Sequence, residues 1–162
     1  MVRACLLILI LSAAASADPR DTVYDFVLAL ERGDGYTMET LFSQSLDAQL
    51  QAAYGQLQEM CGQQPELARS VVGRMLPMVS VSDIPGMSFG GFLSLLLLQV
   101  DASGFDLSSV EREQVGMDGR NATATIIWAS GDTLSFQMVW EGGRWRITGS
   151  SLLGDIFQGV CR

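Results

Sequence analysis

Between Asn121 and Thr148 the chain alternates polar or small residues with apolar ones, through NATATIIW, then TLSFQMVW and RWRIT. A period of two is that of a β-strand with one buried face. Ala122, Ala124, Ile126 and Trp128 share one face of the first run, and Asn121, Thr123, Thr125 and Ile127 share the other. Leu134, Phe136, Met138 and Trp140 share one face of the second. Gly142-Gly143 is a two-residue hairpin signal, because a type I′ turn needs positive φ at both central positions. It sets Trp140 opposite Trp145, Met138 opposite Ile147 and Glu141 opposite Arg144. Putting both apolar sets on one face pairs Trp128 with Leu134 across a three-residue turn at Ser130-Gly131-Asp132. An earlier strand near Val110 to Val115 precedes a turn at GMDG, residues 116–119; the pattern does not fix its inward face.

A one-faced sheet must bury that face against another layer, and the first half of the chain supplies helices. Asp18 and Pro19 read as an N-cap and first helical residue. Val23, Phe26, Val27 and Leu30 then form one apolar stripe, and Gly33 ends it. Arg32-Gly33-Asp34 spells an adhesion tripeptide, but a helix end accounts for its glycine. Thr37 is expected to cap a short helix carrying Met38, Leu41 and Phe42. Ser45 is expected to cap a longer one carrying Leu46, Leu50, Ala53, Tyr54, Leu57 and Cys61. Pro65 starts another, which Pro77 ends. The stretch from Pro77 to Gly91 reads as a loop over apolar surface. GGFLSLLLLQV, Gly90 to Val100, is too short to span a bilayer and reads as a buried helix; its lack of cationic residues weakens a membrane-dipping role. The tail after Thr148 is expected to form a helical turn ending at Cys161.

The first 17 residues stand apart. MVRACLLILILSAAASA has a basic Arg3, a short apolar run and an Ala15-Ser16-Ala17 end, the layout of a secretory signal peptide cleaved before Asp18. Residues 18–162 are then one α+β domain: N-terminal helices packed on a curved antiparallel C-terminal sheet, a cone-like half barrel. The expected location is periplasmic or secreted. Two cysteines remain, Cys61 and Cys161. An even count in an exported chain reads as one disulfide, closing a loop worth roughly 4–5 kcal/mol on chain-entropy grounds. Two buried free thiols are the alternative.

Formal charge is −8 over 162 residues, and loss of Arg3 makes it more negative. Such a chain repels nucleic acid and anionic lipid headgroups, so neither is expected as a partner. It contains no histidine, which removes the usual triads and the two-histidine zinc motif. There is no paired C-x-x-C, no P-loop and no dinucleotide fingerprint, so neither metal nor cofactor is expected. The acids of DASGFDLSS lack calcium-loop spacing, and the Asn121-Ala122-Thr123 sequon falls at a strand start. Among carboxylates that could serve as a base in an apolar pocket, Glu111, Glu113 and Asp25 are the candidates.

The order of helices, loop and meander, with DTVYDFVLALERGD at one end and EGGRWRIT at the other, resembles the nuclear transport factor two-like, or ketosteroid isomerase-like, superfamily of conical α+β barrels. The resemblance is to its exported bacterial members of unknown function and covers about half of the chain after Ala17. It implies a sheet wrapped around a helix with a pocket at the open end. The isomerase branch's catalytic acid and oxyanion donors have no match here, so no catalytic residue is carried over.

The expected function is therefore a non-catalytic exported domain that binds a small apolar molecule or a partner protein. Trp128, Phe136, Met138, Trp140 and Trp145 are its candidate pocket wall, with the methionine-bearing loop as a lid. Trp140 and Trp145 are expected mainly to build core. The alternative is a small carboxylate-dependent isomerase or hydrolase. A structural subunit, dimeric through the outer sheet face at Thr123, Thr125, Ser135 and Gln137, is a third reading.

Overall fold

The computed structural model describes residues 17–158, with side chains from 17 to 154. Residues 1–16 of the expected signal peptide, and Cys161, lie outside the described residues. Helices α1 (Pro19–Arg32), α2 (Gly35–Leu41), α3 (Gln44–Gln63), α4 (Pro65–Met75) and α5 (Phe89–Leu97) precede strands β1 (Val110–Asp118), β2 (Asn121–Trp128), β3 (Thr133–Glu141) and β4 (Arg144–Ser150), and α6 (Ser151–Gln158) follows. The strands form one antiparallel sheet in the order β1-β2-β3-β4, and the sheet does not close. The fold class is α+β, helices packed on a four-stranded antiparallel sheet.

α1 begins as its sequence requires. Asp18 accepts from Arg20 N at 2.9 Å, and Gly33 ends the helix at φ 62°. Its apolar stripe of Val23, Phe26, Val27 and Leu30 is buried, and it packs on β2 and β4. Two caps differ from expectation. Asp34, not Thr37, caps α2: its carboxylate accepts from both Thr37 N and Thr37 Oγ1. Ser43, not Ser45, caps α3 by accepting from Leu46 N at 3.2 Å. In each case the residue next to the preceding helix takes the cap, because the corner between the helices is tighter than a loop would be.

The stretch after Pro77, expected as a loop over apolar surface, contains a helical segment. Val81–Gly86 forms a 3₁₀ helix with Ile84 fully buried. α3 pins it: Tyr54 donates to Ile84 O at 3.1 Å and Met87 O at 2.9 Å, and Gln58 Nε2 reaches Met87 O at 3.1 Å. The Tyr54 ring stacks on Phe92 of α5, 4.6 Å between centroids. α5 in turn crosses α2 so closely that Gly35 and Gly90 meet at the contact.

The meander follows the alternation. Trp140 faces Trp145, Met138 faces Ile147 and Glu141 faces Arg144. Gly142 and Gly143 hold φ of 60° and 82°. The β2–β3 register differs from expectation by two residues: Ile126, not Trp128, faces Leu134. The loop is Ala129 to Gly131, closed by Trp128 N to Asp132 O at 3.0 Å, with Gly131 at φ 91°. A two-residue slip preserves faces, so the apolar set stays inward. The two edges of the sheet are treated differently. β4 is bridged by Phe42, and Ser43 N donates to Ile147 O at 2.8 Å. β1 has no further strand beside it among the described residues.

Candidate functional site

The tryptophan-bearing face lies under the helices. Trp128, Phe136, Met138 and Trp145 are buried, Trp128 completely, and Trp140 is half-buried. Each indole or ring has a partner. Trp128 Nε1 donates to Asp106 O at 3.0 Å, and its ring meets Phe105 edge-on at 5.1 Å. Phe136 meets Phe26 of α1 edge-on at 5.1 Å. Trp140 and Trp145 meet edge-on at 5.4 Å, and Trp145 Nε1 donates to Ala17 O at 2.7 Å. Buried Thr22 of α1 donates to Trp145 O at 3.1 Å. The cavities left between α1 and the sheet and between α3, α4 and α5 are small. One of about 40 Å³ lies between α3, α4 and α5, beside Tyr54 and Phe92. Another of about 10 Å³ lies between α1 and the β1–β2 hairpin.

That smaller space borders a cluster where charged groups meet beneath the helices. A bulge at Val110/Arg112 sets the face of β1, so that Glu113 and Val115 point toward α1. Arg20 Nε donates to Glu113 Oε2 at 2.9 Å, and Tyr24 donates its hydroxyl to Oε1. Arg20 also pairs with Asp18 at 2.9 Å. The carboxylate partner pushes the Tyr24 phenol up to about 12, because ionising it would set two anions side by side. Asp18 is held below the usual carboxylate range, chiefly by the Arg20 amide. Both Glu113 oxygens are engaged, and the adjoining 10 Å³ is about one water-sized probe. The other candidate acids, Glu111 and Asp25, are exposed. Arg20 and Tyr24 carry no sequence signal of this role. Their i, i+4 spacing puts them on one side of α1, but Glu113 joins them only once the bulge is known.

Larger concavities lie elsewhere. On the outer sheet face a trough of about 540 Å³ is lined by Thr123, Thr125, Ser135, Gln137 and Gly149, closed at one end by Ser151 of α6; Phe136 also borders it. Its lining side chains bear hydroxyls and an amide and no charge. Thr125 and Ser135 hydroxyls lie 3.2 Å apart across the strands, and Ser135 N donates to Ser151 Oγ. A second, about 450 Å³, lies between the end of α3, α4 and the 3₁₀ helix, and includes Cys61, Arg69 and Ser80. Cys61 is a buried thiol with no disulfide partner among the described residues, and Cys161, its expected partner, lies outside them. Packed at the end of α3, Cys61 behaves as a small apolar side chain, and burial pushes its thiol up, away from the reactive thiolate. No group of metal-ligating side chains occurs among the described residues, and no described helix is long and apolar enough to cross a membrane.

No protein-family model, curated protein or solved structure matches the chain.

Proposed function

We propose that this is an exported, non-catalytic interaction domain whose partner is a protein rather than a small apolar molecule. One observation carries the choice between the two. The apolar sheet face is covered by its own helices, with cavities of about 10 and 40 Å³ beneath and among them and a 450 Å³ concavity among α3, α4 and the 3₁₀ helix that carries Arg69, Ser80 and Ser82, whereas a trough of about 540 Å³ lined by hydroxyls and an amide lies on the opposite face. Drug-sized ligands need pockets of roughly 300–1,000 Å³ lined mainly by apolar groups. A wet, hydroxyl-lined surface suits the hydrogen-bonded contact of a non-obligate protein interface. Export rests on the leader-like first 17 residues, and the order of helices, loop and meander supports kinship with the nuclear transport factor two-like superfamily.

Photo-crosslinking in the source cell tests it. A crosslinker at Thr123 or Gln137 should give a discrete protein adduct, whereas one at Glu31 or Gln49 on the helical side should not. A co-purified small-molecule mass in native mass spectrometry, with no adduct from the trough, would overturn it in favour of ligand binding. The enzymatic alternative rests on Glu113 as base; loss of a measured turnover in Glu113→Gln with the fold intact would establish it.

A further inference from the structure

We infer that the open edge of β1 pairs with a second copy of this chain, antiparallel, about a two-fold axis at Val115. The inference goes beyond the reading above and does not depend on it. β1 spans nine residues and contains no proline, and its bulge lies only at the Val110 end. A long unprotected edge is a pairing surface that natural proteins usually block, as Phe42–Ser43 block β4. The Gly119-Arg120 turn makes Asp118 and Asn121 a hydrogen-bonded pair, so the amides and carbonyls of Glu113, Val115 and Met117 point away from β2.

Charge selects the register. A two-fold axis perpendicular to the sheet keeps both helical layers on one side and pairs inward residues with inward residues. Centring it on Glu113 sets that carboxylate against itself. Centring it on Gln114 opposes Arg112 to a glycine. Centring it on Val115 opposes Arg112 to the second copy's Asp118, twice by symmetry. The same register lays Met117, 68% exposed in the single chain, over the stem of Glu113 in the other copy. The helices leave room. α1 lies over β2 and β4 and reaches β1 through the side chains of Arg20 and Tyr24, so the two α1 backbones stand about three strand spacings apart, roughly 14 Å. That exceeds the roughly 8–10 Å at which helix axes pack.

Sedimentation equilibrium of the purified protein tests this, with circular dichroism confirming each variant's fold. Arg112 and Asp118 are exposed, so reversing them leaves the core untouched. The wild type should be a dimer. Arg112→Asp and Asp118→Arg should each weaken it about tenfold or more, since each sets like charges opposite one another twice. The double swap should restore it. A wild-type monomer at several hundred micromolar, a dimer indifferent to either single reversal, or a double swap that stays dissociated would each overturn the assignment. A monomer that still crosslinks a protein from the trough would sink this inference and leave the interaction reading standing.

Discussion

Gly35 shows how little space separates α2 from α5. A β-carbon there would overlap Gly90 O and Ser94 N, and would come within 2.7 Å of Leu93 Cβ. Backbone atoms of a packed helix cannot step aside, so Gly35→Ala should cost about 3 kcal/mol, or roughly 10 °C in melting temperature. A β-carbon at Gly90 meets instead the ring of Tyr36, an exposed side chain that can turn away. Gly90→Ala should therefore cost about 1 kcal/mol. Thermal unfolding of the two variants checks the contrast; equal costs would show that the helices separate freely. Tyr24 gives a second prediction. Its phenol is raised to about 12 in the folded chain by the Glu113 carboxylate, against about 10 when unfolded. The protonated form is favoured by folding, so its contribution is complete below about pH 10 and disappears as pH rises toward 12. Urea midpoints measured across that window should fall less steeply in Tyr24→Phe than in the wild type.

Among the elements, the 3₁₀ helix over Val81–Gly86 is held shut rather than hinged. Tyr54 and Gln58 of α3 together bind the carbonyls of Ile84, Pro85 and Met87. Tyr54→Phe keeps the stack on Phe92 and leaves Gln58 as the remaining donor, so a loss of about 1–2 kcal/mol is expected. Amide exchange at Met87 and Ser88 should quicken well before that of the sheet. The meander was legible in the sequence because two independent signals agree there: an alternation of two fixes the faces, and Gly142-Gly143 fixes the register. The β2–β3 register was less so. Shifting it by two residues leaves every apolar side chain inward, so the alternation does not choose between the two alignments. The face of β1 was illegible, since it depends on a bulge that leaves no mark in the pattern Val110-Glu111-Arg112-Glu113. The Arg20–Tyr24–Glu113 cluster was hidden for that reason. The helix caps failed more locally: Asp34 and Thr37, or Ser43 and Ser45, are chemically equivalent candidates a few residues apart, and packing decided between them.

At the scale of the whole molecule, acid should be the main threat. Asp18, Asp34, Asp101 and Asp106 are all held below the usual carboxylate range by hydrogen bonds from helix or turn starts, chiefly from Arg20, Thr37, Ser103 and Ser108 respectively. A depressed carboxylate contributes its full stability above about pH 4 and loses it as pH falls through the lower folded-state value. Unfolding free energy should drop below pH 4, and Asp34→Asn, which keeps a cap that cannot titrate, should flatten that slope. The same end of the fold holds one bond of a different reach. Trp145, in the last hairpin, donates its indole N–H to the carbonyl of Ala17. Cutting the chain between Ala17 and Asp18 removes that acceptor and places a new ammonium on Asp18, at the positive end of α1. The indole should then pass from carbonyl to water, and its emission should move to longer wavelength. Precursor and the chain cleaved there, which the leader-like first 17 residues lead us to propose, should therefore differ in tryptophan emission, a difference that fluorescence of the two forms checks.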